Sequence, residues 1–311
     1  MNNLIISHGD GDGVCACAIC YQALDRDAII LFAQPFNIEH KFEELFRSGE
    51  LLSFNNIYII DIAYNGDIKA YLDYLKGNNK RVIYIDHHFQ SMTIKRKYEG
   101  VIDTNYSAST LTAYYFHMLT PLEKIGSACD KTIMLAKLDP LYEEAETLRK
   151  ALAYEPDDDV FRLKLVKELA DGKMPSEIEE VIERGNKCEE ERNMLYKLAL
   201  KNIEYEDEKV IIVNMKPKDL IGRAGSIASK MAIENKKAVF LIYGNSKTII
   251  TARSHRDLDI NIGKIMHKYY NGGGHKYAGS GNIGNDNDID RLIKEIPRIV
   301  WNGKSCVENC K

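Results

Sequence analysis

The chain has 311 residues, 45% hydrophobic and 28% charged, with a formal net charge of −4. That composition is of an ordinary globular protein, and the length predicts two domains. The slight acidity excludes a global basic field for gripping long duplex nucleic acid. No apolar run reaches the ~18 residues of a membrane span, and the amino terminus has no signal-peptide pattern.

The first ~120 residues alternate short apolar runs with amphipathic ones. "NLIIS" (3–7) predicts a buried strand and "VCACAICYQALD" (14–25) a helix. "AIILFA" (28–33), "NIYIIDIA" (56–63), "RVIYID" (81–86) and "GVID" (100–103) read as further strands. Between them, "IEHKFEELFRSGELL" (38–52) and "GDIKAYLDYLKGN" (66–78) read as helices, the second stopped by Gly and Asn. Such alternation predicts a parallel sheet covered by helices, with ligands bound outside the carboxyl ends of its strands.

From about 107 to 202 the pattern is helical and ends in a long, charged connecting helix. "EYEDEK" (204–209) reads as a solvated link. A new alternation follows: strand "VIIVNM" (210–215), helix "DLIGRAGSIASKMAIEN", the strand pair "AVFLIYG" and "KTIITARS", helix "NIGKIMHKYY", and a glycine-rich loop "NGGGHKYAGSG" (271–281). The expected layout is α/β: an N-terminal domain over 1–185 with a parallel sheet and a helical extension, a linker helix over 186–208, and a smaller α/β domain over 209–311.

Seven cysteines, an odd number, form no recurring CxxC pair at zinc-finger spacing. They are expected to be reduced thiols of a cytoplasmic protein. Cys15, Cys17 and Cys20 are expected to pack their helix against the sheet, while Cys306 and Cys310 lie in the tail. His117 is expected to be a packed histidine on an apolar helix face.

Acidic and histidine residues gather where the α/β rule puts chemistry. His8, Asp10 and Asp12 follow the first strand, Asp61 ends "IYII", Asp86, His87 and His88 end "VIYI", and Asp130 closes "IGSACD". Each Asp alone could be a helix N-cap or turn former. Together they need a counter-charge, because clustered carboxylates resist joint ionisation. Divalent cations would supply it. Mixed His and Asp donors favour manganese or zinc over pure magnesium, and two cations about 3.5–4 Å apart form the usual clamp for displacement at phosphorus.

"HGDGDG" (8–13), "DIA" (61–63), "DHH" (86–88) and "GSACD" (126–130) resemble, in order, the four motifs of the DHH phosphoesterase superfamily. "NGGGHKYAGSG" resembles the glycine-rich signature of the DHH-associated domain in its RecJ-like branch, so the likeness spans about residues 4–281. The resemblance implies two Mn²⁺, with Mg²⁺ as a substitute. His8, Asp10 and Asp61 would hold one; Asp12, Asp61, His87 and Asp130 the other, with Asp61 bridging. It implies that His88 faces the phosphate, that Asp86 orients a ligand histidine, and that a hydroxide between the metals is the nucleophile. In the second domain it implies that Gly272, Gly273, Gly274 and His275 bind phosphate, with Arg253 and Ser254 as phosphate or ribose contacts. His255 and Arg256 are weaker candidates for the same role. "GRAGSIAS" (222–229) is read instead as a close-packing helix face, and Ser107, Ser109 and Thr110 as a helix cap.

The H-x-D-x-D-G spacing resembles RecJ-like proteins rather than the proline-containing version of many bacterial nanoRNases. The chain shows neither the extra oligonucleotide-binding domain of full bacterial RecJ nor the membrane and sensory segments of large cyclic-dinucleotide phosphodiesterases. The resemblance therefore implies a phosphodiesterase that releases mononucleotides from short single-stranded RNA or DNA, with a helicase or replisome protein as a further partner. Two alternatives are a hydrolase of a small phosphate ester, such as a dinucleotide or 3′-phosphoadenosine 5′-phosphate, and a replisome scaffold with weak activity.

Overall fold

β-branched runs bounded by Gly, Asn and Asp form most of the strands of two separate sheets. The computed structural model describes residues 2–284 and 288–302. The chain divides into two units whose boundary falls between Glu189 and Glu190.

The first unit begins β1 (Asn3–Ser7), α1 (Gly11–Ala23), β2 (Ile29–Phe32), α2 (Ile38–Arg47), β3 (Asn56–Ile60), α3 (Lys69–Gly77), β4 (Arg81–Asp86) and β5 (Glu99–Ile102). The five strands are all parallel, in the order β2-β1-β3-β4-β5. Period-2 alternation splits their side chains between two cores. Leu4, Ile6, Ile57, Ile59 and Tyr84 pack against α2 and α3. Ile5, Tyr58, Ile60, Ile83 and Ile85 pack against α1 and the helices that follow, α4 (Ala108–Tyr115), α5 (Leu122–Cys129), α6 (Pro140–Tyr154) and α7 (Asp159–Ala170).

Burial on both faces explains the near-continuous apolar strands of the sequence. Cys15, Cys17 and Cys20 are fully buried in the α1 core, as expected, and among the described residues neither they nor Cys129 and Cys188 form a disulfide. Cys306 and Cys310 lie outside the described residues. His117 departs from expectation: it lies past the end of α4 at φ +54° and is exposed.

α1 begins at Gly11, three residues earlier than its apolar pattern suggests, because the side chain of Asp10 caps it by accepting from Gly13 N. Gly13 is required by proximity, since a Cβ there would lie 2.4 Å from the His8 carbonyl oxygen. Both partners are backbone, so neither can swing away. Gly13→Ala is expected to cost about 1–3 kcal/mol through this overpacking, read as a lower urea midpoint. An unchanged midpoint would contradict the contact.

α8 (Glu179–Lys201) carries the chain across the boundary into the second unit: β6 (Ile203–Glu206), β7 (Val210–Asn214), α9 (Ala224–Asn235), β8 (Ala238–Tyr243), β9 (Ile249–Ser254), α10 (Ile262–Tyr269), β10 (Gly272–His275), β11 (Ala278–Asn282) and α11 (Ile289–Asn302). Its mixed sheet runs β10-β11-β9-β8-β7-β6, with only β7 and β8 parallel. One face packs on α9 and the other on α10 and α11.

Two expectations fail here. Much of "EYEDEK" is not a link but part of edge strand β6, whose Glu204 and Glu206 face outward and alternate with half-buried Ile203 and Tyr205. Charge on an edge strand discourages pairing with another chain. "NGGGHKYAGSG" is not a loop but the hairpin β10–β11. Its glycines permit close passage: a Cβ on Gly274, at φ +144°, would lie 2.2 Å from the Ala278 carbonyl oxygen.

Candidate metal centre

The parallel ladder runs one residue past each strand end. Ala33 N donates to Ser7 O, His8 N to Ile60 O, and Asp61 N to Ile85 O. The segments after β2, β1, β3 and β4 therefore lie side by side at the carboxyl edge of the sheet. This is where an open α/β sheet binds ligands.

Asp61 sits at the middle of this edge. It is 2% exposed and adopts a left-handed φ of +59°. Its Oδ2 is 3.7 Å from His8 Nδ1 and its Oδ1 is 3.2 Å from His87 Nε2. Each carboxylate oxygen thus faces a different imidazole. Asp10 Oδ2 lies 3.1 Å from His8 Nδ1, while Asp130, the C-cap of α5, lies 3.9 Å from His87 Nδ1. Potential donor atoms fall into three groups, each within 4.8 Å: His8–Asp10–Asp61, Asp12–His87–Asp130, and Asp61–His87–His88. Among the described residues, this cluster joins the sequence candidates His8, Asp10, Asp12, Asp61, His87, His88 and Asp130 in one place.

Asp12 is buried in the first turn of α1. Its oxygens accept from Ala108 N (2.7 Å) and Ser109 N (3.0 Å) at the start of α4. Ser107 caps α4 through Thr110 N, as expected, and the serines form a buried hydroxyl cluster with Ser127. Gly126 leaves room for this arrangement, since a Cβ there would lie 2.4 Å from Ser109 Oγ and 2.8 Å from Asp12 Oδ1.

Asp86 is fully buried and does not reach the expected ligand histidine. Its Oδ1 takes His88 Nδ1 at 2.8 Å, and its Oδ2 takes the Ser91 hydroxyl. The expectation that Asp86 orients a ligand histidine is thus met by a different ring, His88, the one expected to face the phosphate.

The charges show what the cluster needs. Burial works to lower the His8 pKa, but Asp10 and Asp61 together push it up to about 11. Burial works to raise Asp10, and His8 overrides it, bringing the carboxyl down to about 2. Burial and then the Asp61 charge push Asp12 up to about 7. The Asp61 carboxylate raises His87 to about 9, and burial raises Asp61 and Asp130. Without cations the cluster retains protons on its ligands, and divalent cations would displace them. The mixed imidazole and carboxylate donors fit such ions.

Two residues that sequence reasoning missed support the edge. Gln34 Oε1 lies 2.6 Å from His8 Nε2. Buried Arg162 on α7 donates from Nε to Gly9 O at 2.8 Å, and from its other nitrogens to Asp159 and the Pro156 carbonyl.

In the second unit Arg253, Gly273, Gly274 and His275 line a hollow of about 410 Å³, together with Gly225, Tyr243, Thr251 and Ser280. Gly225, on the small-residue face of α9, makes room for the Arg253 guanidinium: a Cβ there would lie 2.6 Å from Nη2. Ser254 is not among the lining residues. It is buried, and its hydroxyl donates to His255 O. Strand alternation separates it from Arg253. Gly272, the first residue of β10, is also absent from the lining.

The family model described as DHH family, N-terminal domain, matches residues 2–144, and that of the DHHA1 domain matches 207–302. Among solved structures, a pGpG-specific phosphodiesterase, PggH, from Vibrio cholerae aligns over 97% of this chain and 99% of its own, at TM-score 0.64 and 15% identity. RecJ in complex with Mn²⁺ from Thermus thermophilus aligns over 97% of this chain and 52% of its own, at TM-score 0.59 and 15% identity. An exopolyphosphatase-related protein from Bacteroides fragilis aligns over 98% and 93%, at TM-score 0.57 and 17% identity. No curated protein matches the chain. The chain belongs to the DHH family, its N-terminal domain followed by a DHHA1 domain. No helix among the described residues is long and apolar enough to cross a membrane.

Proposed function

We propose that the chain is a Mn²⁺-dependent phosphodiesterase that releases mononucleotides from an end of short single-stranded RNA or DNA. The observation that carries this reading is Asp61, whose two oxygens face His8 and His87 with further carboxylates on both sides. That donor set suits two ions, His8–Asp10–Asp61 on one side and Asp12–Asp61–His87–Asp130 on the other. When bound, such ions stabilise charge on phosphoryl oxygens and lower the pKa of water.

The chain's own groups do the rest. Asp86 holds His88 by Nδ1 and raises its pKa, which favours the protonated ring, whose Nε2–H would donate to the phosphate. Arg253, His275 and the backbone of Gly273 and Gly274 would bind a terminal phosphate of the nucleotide chain in their hollow. Localised cationic groups of this kind reconcile a polyanionic substrate with a net charge of −4.

A length series tests the reading. Metal-stripped protein is mixed with Mn²⁺ and end-labelled RNA and DNA from two to about ten nucleotides, the scale of a single-strand site. Stepwise release of mononucleotides is expected across the series. Absence of release at every length would sink the proposal. Cleavage confined to the dinucleotide would favour the second reading, a small phosphate ester as substrate. What favours that reading is the Vibrio cholerae protein, whose stated substrate is pGpG and whose length this chain matches almost completely.

A further inference from the structure

The turn after β2 carries a side chain aimed at the ring edge of His8 that faces away from the carboxylates. Gln34 Oε1 lies 2.6 Å from His8 Nε2, while His8 Nδ1 faces Asp10 Oδ2 at 3.1 Å and Asp61 Oδ2 at 3.7 Å. An amide oxygen only accepts, so this contact requires the proton to be on Nε2. A neutral imidazole has one such proton, and its Nδ1 is then bare. A bare nitrogen facing two carboxylate oxygens is stable only with a cation or a proton between them.

The turn is built to hold Gln34. Its backbone N donates to Asn37 Oδ1 at 2.7 Å, and its carbonyl accepts from Asn37 N and Ile38 N. Pro35 restricts the next φ, and Asn65 Nδ2 from the β3 side donates to the Pro35 carbonyl at 2.5 Å. Gln34 is thus tied to the segments following β1, β2 and β3.

We propose that Gln34 is a positioning residue of the metal centre, holding His8 in the tautomer that presents Nδ1 to a cation. The inference rests on the metal-binding reading above. It adds the residue that decides which nitrogen of His8 ligates.

The test is calorimetric titration of Mn²⁺ into the metal-stripped full chain, comparing wild type with two variants. Gln34→Met has similar length but no strong acceptor, and is expected to weaken binding about 10–100-fold, the usual effect of losing an outer partner of a ligand histidine. Gln34→Glu keeps the acceptor and is expected to bind at least as tightly as wild type. A second readout is the ¹⁵N spectrum of histidine-labelled protein loaded with Mg²⁺. Wild type and Gln34→Glu should show His8 protonated at Nε2, and Gln34→Met should lose that single-tautomer pattern. Equal Mn²⁺ affinity in wild type and Gln34→Met would overturn the assignment. So would equal losses in both variants, which would mean that the amide donates to the ring. If wild type itself binds no ion, the metal centre fails as a whole, an outcome distinct from failure of Gln34 alone.

Discussion

Replacing Asp61 by asparagine is expected to lower phosphodiester cleavage about 10³-fold, the scale seen when a group stabilising transition-state charge is removed, while leaving the fold intact. Among the described residues Asp61 is the one carboxylate that addresses both His8 and His87, so its loss affects both proposed ion positions at once. Asparagine is the informative substitution because the residue sits at φ +59°. Asn tolerates that left-handed region, whereas alanine there costs about 1–2 kcal/mol and would mix a backbone effect with a chemical one. Asn also keeps the side-chain volume in a nearly closed site but converts one anionic oxygen to a donor. Burial already disfavours the removed charge, while its pairing with His8 and His87 is lost with it, so the urea midpoint is measured alongside cleavage. Retained cleavage together with an unchanged urea midpoint would remove Asp61 from the chemistry.

The contrast between Asp61 and Asp12 shows why the two are not interchangeable as tests. Asp12 accepts two backbone N–H groups from the start of α4. Its removal leaves buried donors unpaired, at about 1–3 kcal/mol each. Its burial and the Asp61 charge, on the other hand, push its pKa to about 7, so removing its charge also relieves repulsion. These effects oppose one another, so stability changes at Asp12 would not report ion binding cleanly.

Much of the site was legible because the parallel sheet converts sequence position into spatial position. A strand-end residue must lie at the carboxyl edge, so His8, Asp61 and His87 converge once their strands are recognised. Asp130 came from motif order, since it sits on a helix. What was not legible depends on strand order and long-range contact. Gln34 carries no motif of its own and reaches His8 only because β2 pairs with β1. The one available signal was its place just after an adjacent strand. Arg162 holds Gly9 from 153 residues away. The histidine that Asp86 meets depends on ring orientation, which spacing does not specify. The glycine run read as a loop because glycine is depleted in strands, yet here glycine is demanded by backbones passing too closely for a Cβ.

Divalent cation is expected to stabilise the first unit, and more so at pH 8 than at pH 6. In the metal-free protein His8 and His87 have pKa values raised to about 11 and about 9. Groups raised in the folded state lend their full stabilisation below the ordinary histidine value, and it is lost as pH climbs toward those raised values. Asp12 acts in the same direction. Its folded pKa of about 7 lies above the ordinary 3.8, so stability falls as pH rises between them. Metal-free protein should therefore weaken from pH 6 to pH 8, as the histidines of the unfolded chain give up protons that His8 and His87 keep in the fold and as Asp12 loses its own. An ion competes with those protons, so its apparent affinity rises over the same interval. At a free concentration of about 100 times Kd, the gain is about 2.7 kcal/mol. For a unit of this size that corresponds to about 5–10 °C in Tm. The measurement is a thermal scan with excess Mn²⁺ or with EDTA at each pH, repeated on Asp61→Asn, in which most of the shift should disappear. A shift of equal size at both pH values, or one that survives in Asp61→Asn, would mean that the ion binds away from the His8–Asp61–His87 cluster.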